Sequence, residues 1–152
     1  MKKTLLYLED AGSLRKDTVE DLEDDGYVVK AFGRIDQAKE YLYNHPSEIN
    51  CIITDLNMND EWLEEYRNES DGCLVAGWVW LNRFVYSRRE FLSIPCVIYS
   101  GYIRYLEDYL RQKDELNLLR QYHISCVPKG GNDDNGYKAL SNTLDMIFKS
   151  IS

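Results

Sequence analysis

The sequence has no apolar run approaching the ~20 residues that a membrane span needs. The run after Met1, Lys2 and Lys3 covers only Thr4 to Leu8 and ends in Glu9-Asp10. It is too short for an export signal and has no small-residue cleavage site behind it. No two of the four cysteines form a CxxC pair, which argues against a zinc site. Cys51, Cys73, Cys96 and Cys126 are expected as reduced thiols of a cytoplasmic protein, three of them in or beside apolar strand-like runs. Histidine is scarce, and His45 and His123 stand isolated, so neither is expected to act as a ligand or in phosphotransfer. Internal repeats and low-complexity linkers are absent. Positive charge is outnumbered, 18 Lys and Arg against 26 Asp and Glu, for a net charge of -8. That field repels nucleic acid and anionic lipid, so neither a direct nucleic-acid partner nor a membrane is expected. What remains is a chain of 152 residues, 44% hydrophobic, enough for one domain with its own core and too apolar for disorder.

Apolar runs alternate with amphipathic stretches. Thr4-Leu8, Tyr27-Phe32, Ile49-Thr54, Ile94-Tyr99 and Ile124-Val127 read as buried strands. Between them, Leu14, Thr18, Val19 and Leu22 recur at helical spacing and stop at Gly26, a residue suited to a left-handed helix end. Ile35, Ala38, Tyr41 and Leu42 mark a second helix that stops before Pro46. A third is expected over about Leu74 to Tyr86, with Trp78, Leu81 and Val85 facing inward. Ile103, Leu106, Leu110, Leu116 and Leu119 mark one long helix or two. After a break at Gly130-Gly131, Tyr137, Leu140, Leu144, Ile147 and Ile151 mark a closing helix. Strand-helix alternation of this kind implies an α/β fold, a parallel sheet covered on both faces. With strand order 2-1-3-4-5, the first and closing helices share one face and the others take the opposite one.

Ligands of such sheets bind beyond the carboxyl ends of the strands. There the sequence places Glu9 and Asp10, Asp55, Ser100 and Lys129. Three carboxylates so close raise one another's pKa. Mg²⁺ relieves that repulsion, since it prefers a few carboxylates with water and phosphate oxygens. A carboxylate beside it is able to attack phosphorus. The phosphoryl group then needs a cation and donors, and Lys129, Ser100 and the backbone N–H of Gly101 can supply them.

In LLYLED, CIITDLNM, VIYSG and VPKG, each at a strand end and in this order, the chain resembles the response-regulator receiver domain of two-component signalling over nearly its whole length. The resemblance implies a flavodoxin-like, five-stranded parallel sheet and a stand-alone regulator. It makes Asp55 the acceptor of a phosphoryl group from a histidine kinase or phosphotransfer protein. Asp10, Asp55 and the backbone carbonyl of Asn57 would hold Mg²⁺, with Glu9 acting through a bound water. Ser100 would be the switch hydroxyl and Lys129 the partner of the phosphoryl group. The output would be a contact with an unidentified downstream protein, around the fourth helix and fifth strand. The chain would assist its own phosphorylation and dephosphorylation and would not be a metabolic enzyme.

The sequence departs from that pattern in several places. Asn59 stands where the family usually has proline. The glycine that follows matches Gly77 best, which implies an insertion of roughly 14 residues. The insertion, at about 59-72, carries Asp60, Glu61, Glu64, Glu65, Glu69 and Asp71 against Arg67 alone, and reads as a solvated loop, a partner-docking element or a lid near Asp55. Lys129 is preceded by proline and not followed by it. The aromatic switch position falls near Cys126. Tyr99, Tyr102, Tyr105 and Tyr109 read as packing residues, a partner face or a substitute for that switch. These departures keep a second reading open, a degenerate receiver that docks proteins without phosphorylation. A haloacid-dehalogenase-type phosphatase would want Asp where Asn57 stands. A flavodoxin-like cofactor binder would not place Glu9-Asp10 at its phosphate loop.

Overall fold

The computed structural model describes residues 2–59, 61–130 and 135–151. Asp60 and Gly131, and the side chains of Glu61, Trp62 and Ile151, lie outside what is described. Strands β1 (Thr4–Leu8), β2 (Val28–Phe32), β3 (Cys51–Thr54), β4 (Cys96–Ser100) and β5 (Ile124–Pro128) form one sheet in the order β2-β1-β3-β4-β5. Every pairing is parallel. The three central strands are buried on both faces, which explains their unbroken Leu, Ile, Val and Cys runs.

Alternation along the strands divides the core in two. Leu5, Tyr7, Cys51, Ile53, Val97, Tyr99 and Val127 face α1 (Gly12–Asp24) and α6 (Asn135–Ile151), meeting Leu22, Leu140 and Leu144. Leu6, Leu8, Ile52, Cys96 and Ile98 face α2 (Ile35–Asn44), α3 (Ala76–Trp80) and α4 (Ile103–Gln112). Both layers are as the sequence implies. Gly26 closes α1 at φ 96°, donating its N–H to the Glu23 carbonyl. Among the described residues, no helix is long and apolar enough to cross a membrane. All four cysteines are free, Cys126 alone half-buried.

One open expectation is settled and two need correction. The long helical stretch after β4 is two helices, α4 and α5 (Asn117–Gln121), because Asp114 turns left-handed at φ 57°. The third helix is short. After Trp80 it widens into a π-helical turn over Leu81–Val85, which keeps Trp78, Leu81 and Val85 inward. The acidic insertion is not merely a solvated loop. It leaves the core at Met58, runs through a 3₁₀ turn over Glu61–Tyr66 and returns at Cys73, whose carbonyl accepts the Met58 N–H at 3.3 Å. Ser70 is fully buried and accepts the Cys73 N–H at 3.2 Å. Glu69 ties the excursion to the helices. Its carboxylate takes the Arg83 guanidinium at 2.8 Å, and its carbonyl accepts the Tyr109 hydroxyl of α4. Glu64 and Glu65 remain exposed.

Candidate phosphoacceptor site

The site lies at the carboxyl edge of the sheet, where β1, β3, β4 and β5 end side by side. Parallel registry fixes this. Leu8 pairs with Thr54, and Ser100 with Pro128, so the next residues of neighbouring strands emerge together. Hydrogen bonds carry the ladder one step further, from the Asp55 N–H to the Leu8 carbonyl at 3.1 Å and from the Lys129 N–H to the Ser100 carbonyl at 3.1 Å.

Lys129 is the hub. Its ammonium donates to Glu9 Oε2 at 3.0 Å and to Asp55 Oδ2 at 2.9 Å. Glu9 is 2% exposed, Asp55 8% and Ser100 not at all. The second oxygens are held as well. Asp55 Oδ1 accepts the Leu56 N–H at 2.7 Å, and Glu9 Oε1 accepts the Ala11 N–H at 3.3 Å. The Ser100 hydroxyl accepts the Tyr102 N–H at 3.1 Å.

Two buried carboxylates in contact cannot both stay ionised cheaply. Burial, and then the hydrogen bond and charge of Asp55, push the Glu9 carboxyl up to about 7, against the pull of Lys129. Burial works against Asp55 too, but hydrogen bonds from Glu9 and Ser100 and the charge of Lys129 hold its carboxyl below the usual range. Lys129 is held above its ordinary value by Asp55 and Glu9, which outweigh its own burial. The Lys129 ammonium thus bridges two carboxyls that the fold pushes in opposite directions, Glu9 up and Asp55 down.

The structure thus brings Glu9, Asp55, Ser100 and Lys129 together. Asp10 stands at the exposed rim, where its carboxylate accepts the Asn59 N–H at 3.2 Å. Asn57 is half-buried two residues beyond Asp55. Gly101 is exposed, and a Cβ there would meet nothing within 4 Å. Gly77 has no such room, since its Cβ would fall 1.9 Å from the Asp55 carbonyl oxygen. α3 therefore rests directly on the backbone of Asp55. Cys126 is half-buried against the helical layer, and no cis peptide bond occurs among the described residues. The four tyrosines do not share a face. Tyr99 points into the α1–α6 layer with its ring 5.5 Å from the Lys129 ammonium, Tyr105 and Tyr109 pack on the other layer, and Tyr102 is exposed.

The sequence reading passed over Arg15 and Gly33. Arg15 Nη1 donates to the Glu9 carbonyl at 2.7 Å, and its guanidinium lies against Gly33. An arginine among the polar residues of a helix carries no periodic signal, and only the tight glycine contact marks it.

Hard oxygen donors at adjoining strand ends suit Mg²⁺. The two facing carboxylates already share the Lys129 ammonium, and Asp10 adds a further carboxylate oxygen at the rim. Among the described residues, however, no three carboxylate, imidazole or thiol side chains gather as a metal cage, since Asp10 is engaged with Asn59.

The sheet order and its two helical layers define the CheY-like receiver fold, of the flavodoxin type. No family model matches the sequence, and no curated protein does. Solved structures do, many of them response-regulator receiver domains. The chemotaxis response regulator CheY4 of Vibrio cholerae shares 18% identity at a TM-score of 0.64, over 97% of this chain and 99% of that one. A response regulator from Desulfuromonas acetoxidans shares 15% at 0.63, over 99% of both chains. TrrA of Thermotoga maritima, solved in complex with Mg²⁺ and BeF, shares 17% at 0.60, over 95% of this chain and 98% of that one.

Proposed function

We propose that the protein is a phosphorylation-dependent signalling receiver of two-component type, with Asp55 as the phosphoacceptor. One observation carries this reading: a buried Asp55 at the end of β3, 2.9 Å from the Lys129 ammonium of another strand end, with the buried Ser100 closing a third. An Asp55 oxygen attacks the phosphorus of a histidine kinase or phosphotransfer protein's phosphohistidine. The O–P bond forms as the P–N bond breaks, and the departing imidazole keeps the P–N electron pair and takes a proton from solvent. Lys129, already 2.9 Å from Asp55 Oδ2, neutralises the added oxygens, and Ser100 supplies a hydrogen bond. Glu9, Asp10, Asp55 and the Asn57 carbonyl are the residues that would hold Mg²⁺. When bound, the ion supplies charge neutralisation around the transferring phosphoryl group. The free thiols suit a cytoplasmic setting, and the output is contact with a downstream protein.

Cys126 in place of a switch ring favours the second reading, a docking module that works without phosphorylation. Labelled small acyl phosphate with Mg²⁺ separates the two. The receiver reading expects one phosphoryl group per chain in the wild type and none in Asp55→Asn. An unlabelled wild type supports the docking module.

A further inference from the structure

Arg15 sits in the first turn of α1, its N–H donating to the Ala11 carbonyl at 2.9 Å. Its side chain folds back across the end of β1. Nη1 donates to the Glu9 carbonyl at 2.7 Å, a bond to the main chain and not to a carboxylate. That carbonyl belongs to the peptide joining Glu9 to Asp10. On its other side, Glu9 is fixed by its own N–H, which donates to the Phe32 carbonyl at 3.0 Å. The peptides on both sides of Glu9 are therefore held, and Arg15 holds the one that leads to Asp10. Gly33 makes the hold possible. A Cβ at Gly33 would lie 2.6 Å from Arg15 Nη1 and 3.2 Å from Cζ, closer than a side chain tolerates. The backbone of Gly33 does not itself require glycine, since no left-handed φ occurs there. The space is kept for the guanidinium.

Resting on the receiver reading, we propose that Arg15, seated on Gly33, is a positioning residue that sets the directions of Glu9 and Asp10 for Mg²⁺ binding and phosphoryl transfer. A peptide plane free to rotate would let the two carboxylates swing apart. Preorganisation of charged donors is where such sites gain affinity, and loss of a supporting hydrogen bond typically weakens them severalfold or more.

The two contacts make a four-way test. Mg²⁺ affinity is measured by calorimetry, and thermal unfolding is followed on the same samples. R15A removes the guanidinium, G33A pushes it aside while keeping its charge, and R15K restores a donor. The expected result is about tenfold weaker Mg²⁺ binding in both R15A and G33A. The double variant R15A/G33A should be no worse than R15A, because without the guanidinium the added methyl meets free space. R15K should recover most of the affinity. Wild-type affinity in R15A and G33A, a fall in melting temperature without a fall in affinity, or additive losses in the double variant would each overturn the proposal. A wild type that neither binds Mg²⁺ nor takes up the phosphoryl group would overturn the receiver reading itself. A wild type that does both, beside an unaltered R15A, would overturn only the role of Arg15.

Discussion

Glu9 is the residue whose ionisation the fold disturbs most usefully. Its carboxyl rises to about 7 through burial and the neighbouring Asp55. A raised folded-state pKa contributes stability that is complete below the unfolded value and is lost as pH climbs through the folded one. Without divalent cations, the chain should therefore lose stability between about pH 5 and pH 7.5, on the order of 2 kcal/mol. Glu9→Gln should flatten that slope, as read from urea unfolding at several pH values. A slope unchanged in the variant would place the titrating group elsewhere. Gly77 gives a steric test at the same scale. A methyl there would sit 1.9 Å from the Asp55 carbonyl oxygen, and backbone cannot retreat that far. Gly77→Ala should cost about 3 kcal/mol or more in denaturant unfolding.

Among the elements, the insertion departs furthest from what its composition suggests. Six acids against one arginine read as solvent-facing, yet the segment packs Ser70 and Cys73 inside and grips α4 through the Glu69 carbonyl. Composition reports charge, and charge does not report what the main chain does between the charges. Tyr109→Phe removes the grip without emptying the packing. It should cost about 1 kcal/mol and speed amide exchange in residues 64–73 before the rest of the chain. The Arg83–Glu69 pair is partly solvated, so Arg83→Ala should cost less than about 1 kcal/mol. Strands were the easiest elements to foresee. Runs such as CIIT and CVIYS are buried on both faces, so their hydrophobicity has no gaps. Glu9, Asp55, Ser100 and Lys129 were legible for the same reason, each lying at or just beyond the end of such a run. The outward stance of Asp10, the seat of Arg15 and the break at Asp114 were not, because main-chain hydrogen bonds and a single left-handed residue decide them.

At the scale of the whole molecule, two apolar layers share one central sheet, and neither can lose its packing without exposing the other. Trp78 and Trp80 report on the α2–α3–α4 layer, while helix content reports on both layers. Unfolding curves from tryptophan fluorescence and far-ultraviolet circular dichroism should coincide. Separate midpoints would mean that the layers unfold independently. The same architecture draws chemistry from four strands to one edge, which a net charge of -8 would otherwise keep apart. Lys129 is the counter-charge that permits it, bridging Glu9 and Asp55 across the sheet.

On the proposed function, this edge accepts a phosphoryl group on Asp55 and on no other carboxylate. Borohydride reduction of the chain after treatment with acyl phosphate and Mg²⁺ would convert an acyl-phosphorylated aspartate to homoserine, which peptide mass spectrometry locates. Homoserine is expected at residue 55, with Glu9 and Asp10 intact. Reduction at residue 9 or 10, or at none of the three, would contradict it.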